Sequence, residues 1–192
     1  NKSDFKWYDT SVPCRTACPA DTDIPSYLEA ISHGDYRKAY EINLEDNVFP
    51  EILGRVCSRP CEDACRHSKD GNGDSVAICF SKRAAGDFAN SNIKLSNYSK
   101  STNKKVAVIG SGVAGLTSAR ELFRYGHKVD IFEKHKSPGG MLNQGIPIFR
   151  LPRKIIEREI QQILSLGIKL HLNKNISTFK QLSNLANNYD AV

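Results

Sequence analysis

Residues 106–115 read Val-Ala-Val-Ile-Gly-Ser-Gly-Val-Ala-Gly, an apolar run that leads into a Gly-x-Gly-x-x-Gly pattern. Such a run is typical of a buried parallel strand. After it, apolar residues fall at helical spacing as far as Phe123, and Gly126 follows as a stop signal. Gly110 suits a tight turn, Gly112 leaves room for a pyrophosphate, and Gly115 lets the helix lie close to the strand. The stretch predicts a dinucleotide site with the pyrophosphate at the helix N-terminus.

A second predicted strand covers residues 128–132 and ends at Glu133, 18 residues beyond Gly115. An acidic residue at this place can accept hydrogen bonds from both ribose hydroxyls of a dinucleotide. The alternative is a glycine turn that binds nothing. An isolated glycine pattern is weak evidence, but the strand, helix, second strand and acid occur here in the expected order, which favours the dinucleotide site.

The composition limits the class of protein. A chain of 192 residues with 40% apolar residues can bury a sizeable core and suits two small domains. It has no run of eighteen apolar residues and no signal-peptide core, which predicts a soluble protein of the cytoplasm, without a membrane partner. The net charge of +6 is scattered among acids, so we expect no nucleic-acid partner but a basic surface that could dock an acidic protein.

All six cysteines lie before residue 80, which marks a site in the N-terminal half. A disulfide framework fits poorly, because the cofactor-binding half has the character of an intracellular enzyme, where thiols stay reduced. Cys14-x₃-Cys18-Pro19 has the form of a ferredoxin cluster loop, in which the proline prevents a helix. A second group comprises Cys57, Cys61 and Cys65. The spacing of the last two would stack them on one face of a helix that starts near Pro60.

Helices are predicted around these loops. Asp23 is a plausible N-cap for a helix that stops at Gly34, and a second helix begins at Asp35. A polar turn is expected over residues 66–75, followed by a helix over 76–90 that carries Cys79. Structural zinc is the main alternative for the cysteines, and a set of buried thiols without a ligand is another. The Cys-Pro ending and the neighbouring dinucleotide site favour iron–sulfur.

Residues 91–104 are rich in Ser, Asn and Lys and predict an interdomain linker. Beyond Gly140, a loop with Gly145, Pro147 and Pro152 should cross the cofactor. A helix from Pro152 to Gly167 and a third strand over 168–172 complete the predicted β-α-β-x-α-β order. A short helix over 179–186 and the start of another strand at 189–192 are expected after it.

The order of these motifs carries a family resemblance. Cys-x₃-Cys-Pro, Gly54-Arg-Val-Cys57 with Cys61-Glu-x₂-Cys65, the glycine pattern and the Gly139-to-Pro152 loop follow one another along nearly the whole chain. The chain resembles the small subunit of glutamate synthase and the N-terminal half of dihydropyrimidine dehydrogenase. The resemblance implies the fold class α + α/β: an α-helical [4Fe-4S] domain (1–90), a linker (91–104) and the N-terminal part of a Rossmann-like FAD domain (105–192).

In such a family NAD(P)H reduces FAD, and electrons pass through [4Fe-4S] clusters to a partner active site. Carried over by position, the predicted FAD contacts are Gly110, Ser111, Gly112, Ala114, Gly115, Glu133, Lys134, Gly140, Met141, Arg150 and Ile176. The predicted metal ligands are Cys14, Cys18, Cys57, Cys61, Cys65 and Cys79.

The sequence departs from the family in two ways. Two Cys₄ clusters need eight thiols and six are present, so one [4Fe-4S] cluster is predicted and a second is not supported. The resemblance assigns Cys14 and Cys65 to one cluster, and Cys18, Cys57 and Cys61 to another whose last ligand position holds Lys82. A protonated lysine is a poor ligand, and we hypothesise that Cys79, one helical turn earlier, replaces it. The region that binds NAD(P)H in the family would lie beyond Val192.

These observations predict an enzyme, an NAD(P)H-dependent FAD/iron–sulfur oxidoreductase subunit that serves a larger catalytic or electron-accepting subunit. The alternatives are an electron-transfer subunit of a bifurcating transhydrogenase, a formate dehydrogenase or a sulfur-metabolising enzyme, and a non-catalytic module that binds zinc and nucleotide. No catalytic residue is predicted, because electron transfer requires no acid, base or nucleophile. The five histidines are expected to be surface or packing residues: His33, His67, His127, His135 and His171.

Overall fold

The computed structural model describes residues 12–89 and 97–192, which belong to two compact units, Asn1–Ser91 and Asn92–Val192. Of the predicted linker at 91–104, residues 91–96 lie outside the described residues, and residues 97–104 belong to the second unit. The predicted fold class, a helical domain followed by a Rossmann-like domain with a small parallel sheet, is confirmed.

The described part of the first unit is helical. Its helices are α1 (Pro13–Thr16), α2 (Ile24–Ser32), α3 (Tyr36–Asp46), α4 (Pro50–Val56), α5 (Pro60–Asp63), α6 (Arg66–Lys69) and α7 (Ile78–Phe88). Side-chain caps fix two of the helix starts, because Asp23 accepts a hydrogen bond from the Ser26 amide and Asp35 from the Lys38 amide. Both starts agree with the sequence prediction.

Helices α4 and α7 pack closely, and a glycine makes this possible. A Cβ added to Gly54 of α4 would lie 2.8 Å from both the Cα and the amide nitrogen of Arg83 in α7. These are backbone atoms, which cannot turn away as a side chain can. Gly54 is therefore needed because the helix before Cys57 lies directly against the helix that carries Cys79.

Two local predictions around the cysteines were wrong. Cys61 and Cys65 do not stack on one helix, because α5 ends at Asp63 and Cys65 caps the separate helix α6. The predicted polar turn at 66–75 contains α6, whose short length and polar composition give little periodicity to detect. Pro60 does begin the helix of Cys61, as predicted, and α7 is shorter than the predicted 76–90.

The second unit alternates strands and helices. Its elements are β1 (Lys105–Ile109), α8 (Val113–Arg124), β2 (Lys128–Phe132), α9 (Met141–Gln144), α10 (Arg153–Leu164), β3 (Lys169–His171) and α11 (Phe179–Asn188). The three strands form a parallel sheet in the order β1-β2-β3, with Val106 opposite Val129 and Ile131 opposite Leu170. On the other side of β1, Ala191 forms a parallel bridge with Val106, which is the predicted beginning of another strand.

The core of this unit lies between the sheet and its helices. Leu116 of α8 and Ile131 of β2 are fully buried. Helix α10 buries four isoleucines at helical spacing: Ile155, Ile156, Ile160 and Ile163. This packing fixes the carboxyl ends of β1 and β2, where the predicted cofactor residues lie. No helix among the described residues is long and apolar enough to cross a membrane.

Candidate functional site

The glycine pattern between β1 and α8 forms a sharp turn with open space in front of it. Gly110 has φ +96°, a conformation that side chains disfavour. A Cβ on Gly115 would overlap the carbonyl oxygen of Gly110, so the helix lies against the turn. A Cβ on Gly112 would meet no atom within 4 Å. The space at Gly112 is therefore left for a ligand, next to the amides that begin α8.

The pair Gly139-Gly140 folds onto this turn. The Gly139 amide donates to the Ser111 carbonyl at 2.8 Å, and a Cβ on Gly140 would lie 3.0 Å from the Cα of Gly112. Both glycines have positive φ, +103° and +50°. We call residues 110–115 together with 139–140 the glycine cradle. Spacing in the sequence could not predict this contact, because it joins segments more than twenty residues apart.

Glu133 supports the cradle from the end of β2. Its Oε2 accepts hydrogen bonds from the Ser111 amide at 2.8 Å and from the Ser111 hydroxyl at 2.7 Å, and its Oε1 accepts one from the His135 amide at 2.9 Å. Burial raises the pKa of Glu133, but these hydrogen bonds outweigh it and hold the pKa below the usual value. A carboxylate has about four acceptor positions, so one remains for a ribose hydroxyl.

We expect Glu133→Gln to destabilise the protein at neutral pH. The amide keeps the shape but loses the charge that three hydrogen bonds favour, at a cost of about 1–3 kcal/mol in the free energy of unfolding. Because the folded-state pKa is lowered, the contribution of Glu133 is complete above the unfolded pKa and is lost as the pH falls through the folded value. Urea unfolding of both proteins at several pH values should show a difference that disappears in acid, and a constant difference would contradict this assignment.

The other predicted contacts differ in their exposure to solvent. Ser111 is completely buried and gives its amide and hydroxyl to Glu133, so it positions the turn. Exposed residues are Ala114, Lys134, Met141 and Arg150, and Ile176 is half-buried. Their roles as FAD contacts stay predictions. Apolar side chains are also exposed here, with Val113 of the cradle at 46% and Met141, which follows Gly140, at 70% exposure. A bound ring system would cover such surface.

The six cysteines of the first unit are all free thiols. Cys61, Cys65 and Cys79 are buried, whereas Cys14, Cys18 and Cys57 are half-buried. The thiol of Cys61 on α5 and the thiol of Cys79 on α7 interact, and this interaction lowers the pKa of Cys61 and raises the pKa of Cys79. Cys57 interacts electrostatically with Cys79, and Cys14 with both Cys61 and Cys65. The fold therefore brings cysteines from distant parts of the sequence together.

Polar groups contact three of the sulfurs. The Arg59 amide donates to Cys57 Sγ at 3.4 Å and the Val76 amide to Cys65 Sγ at 3.5 Å. The sulfur of Cys18 lies 3.3 Å from the Thr22 hydroxyl. Hydrogen bonds to ligand sulfurs stabilise the negative charge of an iron–sulfur cluster and tune its potential. These contacts fit thiolates better than neutral packing thiols.

Across the described ranges 12–89 and 97–192, no group of three or more His, Cys, Asp or Glu side chains could hold a single metal ion. A tetrahedral zinc would require thiolates about 3.8 Å apart around one centre. A [4Fe-4S] cluster binds its four thiolates on four different irons, which sets the sulfurs farther apart. The donor set of this unit, six free thiols, has the chemistry that binds such a cluster.

Three residues at the cysteine site were not recognised as such from the sequence. Tyr27 of α2 is fully buried, interacts with four of the cysteines and donates from its hydroxyl to the Ile78 carbonyl at 3.1 Å. Glu62 accepts from the Cys79 amide at 2.8 Å. Lys82, predicted only as a poor ligand, is a buried cation with 5% exposure that interacts with Cys61 and Cys79. A buried tyrosine or lysine has no sequence signal, because both are usually partly exposed.

Comparison with known families agrees with the division of the chain into a helical unit and a Rossmann-like unit. Residues 9–93 match the family described as dihydropyrimidine dehydrogenase domain II, 4Fe-4S cluster. Residues 108–152 match the family described as NAD(P)-binding Rossmann-like domain. The chain thus joins a 4Fe-4S domain to a dinucleotide-binding domain.

Curated relatives resemble the chain over almost its full length. The beta subunit of the NADP(+)-dependent formate dehydrogenase of Moorella thermoacetica is 36% identical over 95% of this chain and 29% of its own. The small chain of glutamate synthase [NADPH] of Bacillus subtilis is 37% identical over 92% of this chain and 36% of its own. The PreT subunit of the NAD-dependent dihydropyrimidine dehydrogenase of Salmonella typhimurium is 33% identical over 94% and 44%.

The resemblance inferred from the sequence is confirmed: the chain is similar to a formate dehydrogenase beta subunit, a glutamate synthase small chain and a dihydropyrimidine dehydrogenase subunit. It spans between 29% and 44% of the length of the three relatives described.

Proposed function

We propose that this chain is the N-terminal part of an enzyme subunit that moves electrons between NAD(P)H, FAD and a [4Fe-4S] cluster and delivers them to a partner active site. The observation that carries this proposal is the presence, in one chain, of a convergent set of cysteines and an open glycine cradle. FAD accepts a hydride, and thus two electrons, from nicotinamide and passes single electrons to clusters. A protein that combines a nicotinamide with an iron–sulfur cluster requires this chemistry.

The cradle residues bind and orient the flavin nucleotide. The open space at Gly112 receives the pyrophosphate, and the first amides of α8 donate to it. Glu133 holds the turn through Ser111 and uses its remaining acceptor position for a ribose hydroxyl. Gly139 and Gly140 close the turn without filling the space, since neither carries a side chain.

The Rossmann-like fold holds FAD as well as NAD(P) in oxidoreductases, so the match to an NAD(P)-binding family is compatible with bound FAD. The pair Gly139-Gly140 and the proline-containing loop after it support FAD. In the family, nicotinamide binds to a region beyond Val192. Acid release of the bound nucleotide from the full-length protein, followed by chromatography against FAD and NADP standards, would decide the matter. Recovery of NADP alone would overturn the FAD assignment.

The positive charge of Lys82 affects the reduction potential of the proposed cluster. A buried ammonium beside Cys61 and Cys79 favours negative charge at the site, and an added electron increases that charge. The residue therefore raises the reduction potential of the cluster and makes it a better electron acceptor.

We expect Lys82→Gln to lower the reduction potential of the cluster by about 60 mV, which corresponds to about 1.4 kcal/mol for one electron. Redox titration of the full-length protein, followed by electron paramagnetic resonance, measures this shift. Lys38→Gln is the matched control, because Lys38 is exposed on α3 and should leave the potential unchanged. Equal potentials for both variants and the wild type would refute the role of Lys82.

The partner is a larger catalytic or electron-accepting subunit. The relatives include subunits of glutamate synthase, formate dehydrogenase and dihydropyrimidine dehydrogenase, so several acceptors are compatible with this kind of chain. A glutamate synthase-type partner is our first choice, and a transhydrogenase, formate dehydrogenase or sulfur-metabolising partner is the second. A cytoplasmic location stays a prediction from the sequence. Identification of the polypeptide that copurifies with the native subunit would distinguish these partners.

An absorption spectrum tests the proposal against a non-catalytic zinc module. We expect the full-length protein, purified under argon, to show flavin bands on a broad shoulder that dithionite bleaches, and to contain acid-labile sulfide. A colourless protein with stoichiometric zinc and no sulfide would exclude the proposed function.

A further inference from the structure

Cys79 has an unusual position for a thiol that serves only in packing. It lies in the first turn of α7, is 1% exposed, and its amide donates to Glu62 Oε1 at 2.8 Å. Glu62 belongs to α5, the helix that carries Cys61. This backbone-to-carboxylate bond ties the start of α7, which carries Cys79, to α5, which carries Cys61.

A second contact strengthens the same connection. The Arg59 guanidinium lies 3.6 Å from Glu62 Oε2 and 4.6 Å from the centre of the Phe80 ring, next to Cys79 in the chain. Arg59 also donates its amide to Cys57 Sγ. The position of Cys79 is therefore fixed relative to both Cys57 and Cys61 by three kinds of interaction: hydrogen bond, ion pair and cation–π contact.

Cys79 lies among other cysteines. Tyr27 donates from its hydroxyl to the carbonyl of Ile78, next to Cys79 in the chain, and interacts with Cys18, Cys61 and Cys79. The Cys79 thiol also interacts with Cys57 and Cys61. A buried thiol usually behaves as a small apolar residue among apolar neighbours. The neighbours of Cys79 include further thiols and the buried side chain of Lys82. A buried cation needs a negative charge nearby to offset the cost of its desolvation. Thiolates bound to iron supply such charge.

We propose that Cys79 is the fourth thiolate ligand of a [4Fe-4S] cluster that Cys18, Cys57 and Cys61 also hold. This inference rests on the proposed function, which requires the cluster, and extends it by naming a ligand from α7. On ligation the Cys79 thiol releases its proton to water and its sulfur bonds to one iron, with no change in the number of electrons on the cluster.

The test uses Cys79→Ser and Cys79→Ala in the full-length protein, purified under argon. We expect either a [3Fe-4S] signal in electron paramagnetic resonance, with the loss of about one iron per chain, or loss of the whole cluster, about four irons. Ser81→Ala is the matched control, since Ser81 is on the same helix and its hydroxyl bonds only to the Ala77 carbonyl. The control should retain the iron, sulfide and spectrum of the wild type. Circular dichroism and flavin content show whether each variant is folded.

Full iron content and an unchanged cluster signal in both folded Cys79 variants would overturn the inference and leave the proposed function standing. Absence of sulfide from the wild type would instead overturn the proposed function. If neither variant folds, the wild-type protein provides the test. The labelling of Cys79 by iodoacetamide is then measured before and after iron removal under reducing conditions. A ligand becomes labelled only after iron is removed, whereas equal labelling of Cys79 in both states contradicts ligation.

Discussion

Gly112→Ala should yield a folded protein that has lost most of its FAD. The added Cβ meets no protein atom within 4 Å, and the backbone of Gly112, at φ −73°, suits alanine. The methyl group instead occupies the space that we assign to the pyrophosphate. We expect FAD affinity to fall about 10- to 100-fold, which corresponds to about 1.4–2.8 kcal/mol, with little change in melting temperature.

Gly115→Ala is the matched comparison, because it adds the same methyl group three residues later. There the Cβ overlaps the Gly110 carbonyl, so the strand and helix must separate. We expect a loss of about 3 kcal/mol or more in stability, or a melting temperature lower by about 6–12 °C. Thermal unfolding and flavin content of the two full-length variants provide the measurement. Full FAD occupancy and affinity in Gly112→Ala would show that the pyrophosphate does not lie there.

Gly54→Ala should disrupt the cysteine unit. Its Cβ would lie 2.8 Å from two backbone atoms of Arg83, and relief requires α4 to move away from α7. Helix α4 leads directly to Cys57, whereas α7 carries Cys79 and Lys82. We expect a loss of about 1–3 kcal/mol in stability and a marked loss of iron.

Gly71→Ala is the control for this variant. Gly71 has φ +74°, but its Cβ would meet nothing within 4 Å. The substitution costs about 1–2 kcal/mol of backbone strain and should leave the iron content unchanged. Iron and sulfide assays after purification under argon distinguish the two. Equal iron content in both variants would mean that the contact of α4 with α7 does not determine cluster retention.

The sequence predicted the second unit well, because its signals are local. The apolar run before Gly110, the acid after β2 and the isoleucine stripe of α10 each lie within one element. The boundaries of β2 agree with the predicted 128–132. The contact of Gly139 and Gly140 with the first turn was not predictable in the same way, since it depends on how the loop after β2 returns to the cradle.

The interior of the first unit was less predictable. Short helices around prolines give too few residues for a periodic pattern, so the end of α5 before Cys65 was missed. The burial of Tyr27 and Lys82 depends on contacts between distant helices. Similarly, Arg120 and Arg124 of α8 are almost fully buried, with the Arg124 guanidinium 3.8 Å from the centre of the Tyr98 ring. Charged residues on a helix are normally interpreted as its solvent-facing side.

The most direct test of the central claim is an anaerobic titration of the full-length protein with NADPH and, separately, with NADH. Visible absorption and electron paramagnetic resonance should be recorded on the same samples, beside Cys61→Ser as the variant that lacks a cluster ligand. The account predicts that one of the two nucleotides bleaches the flavin and produces the signal of a reduced [4Fe-4S] cluster, and that Cys61→Ser loses this signal but keeps the flavin response. A wild-type protein that contains no flavin and shows no cluster signal, even with dithionite, would contradict the account.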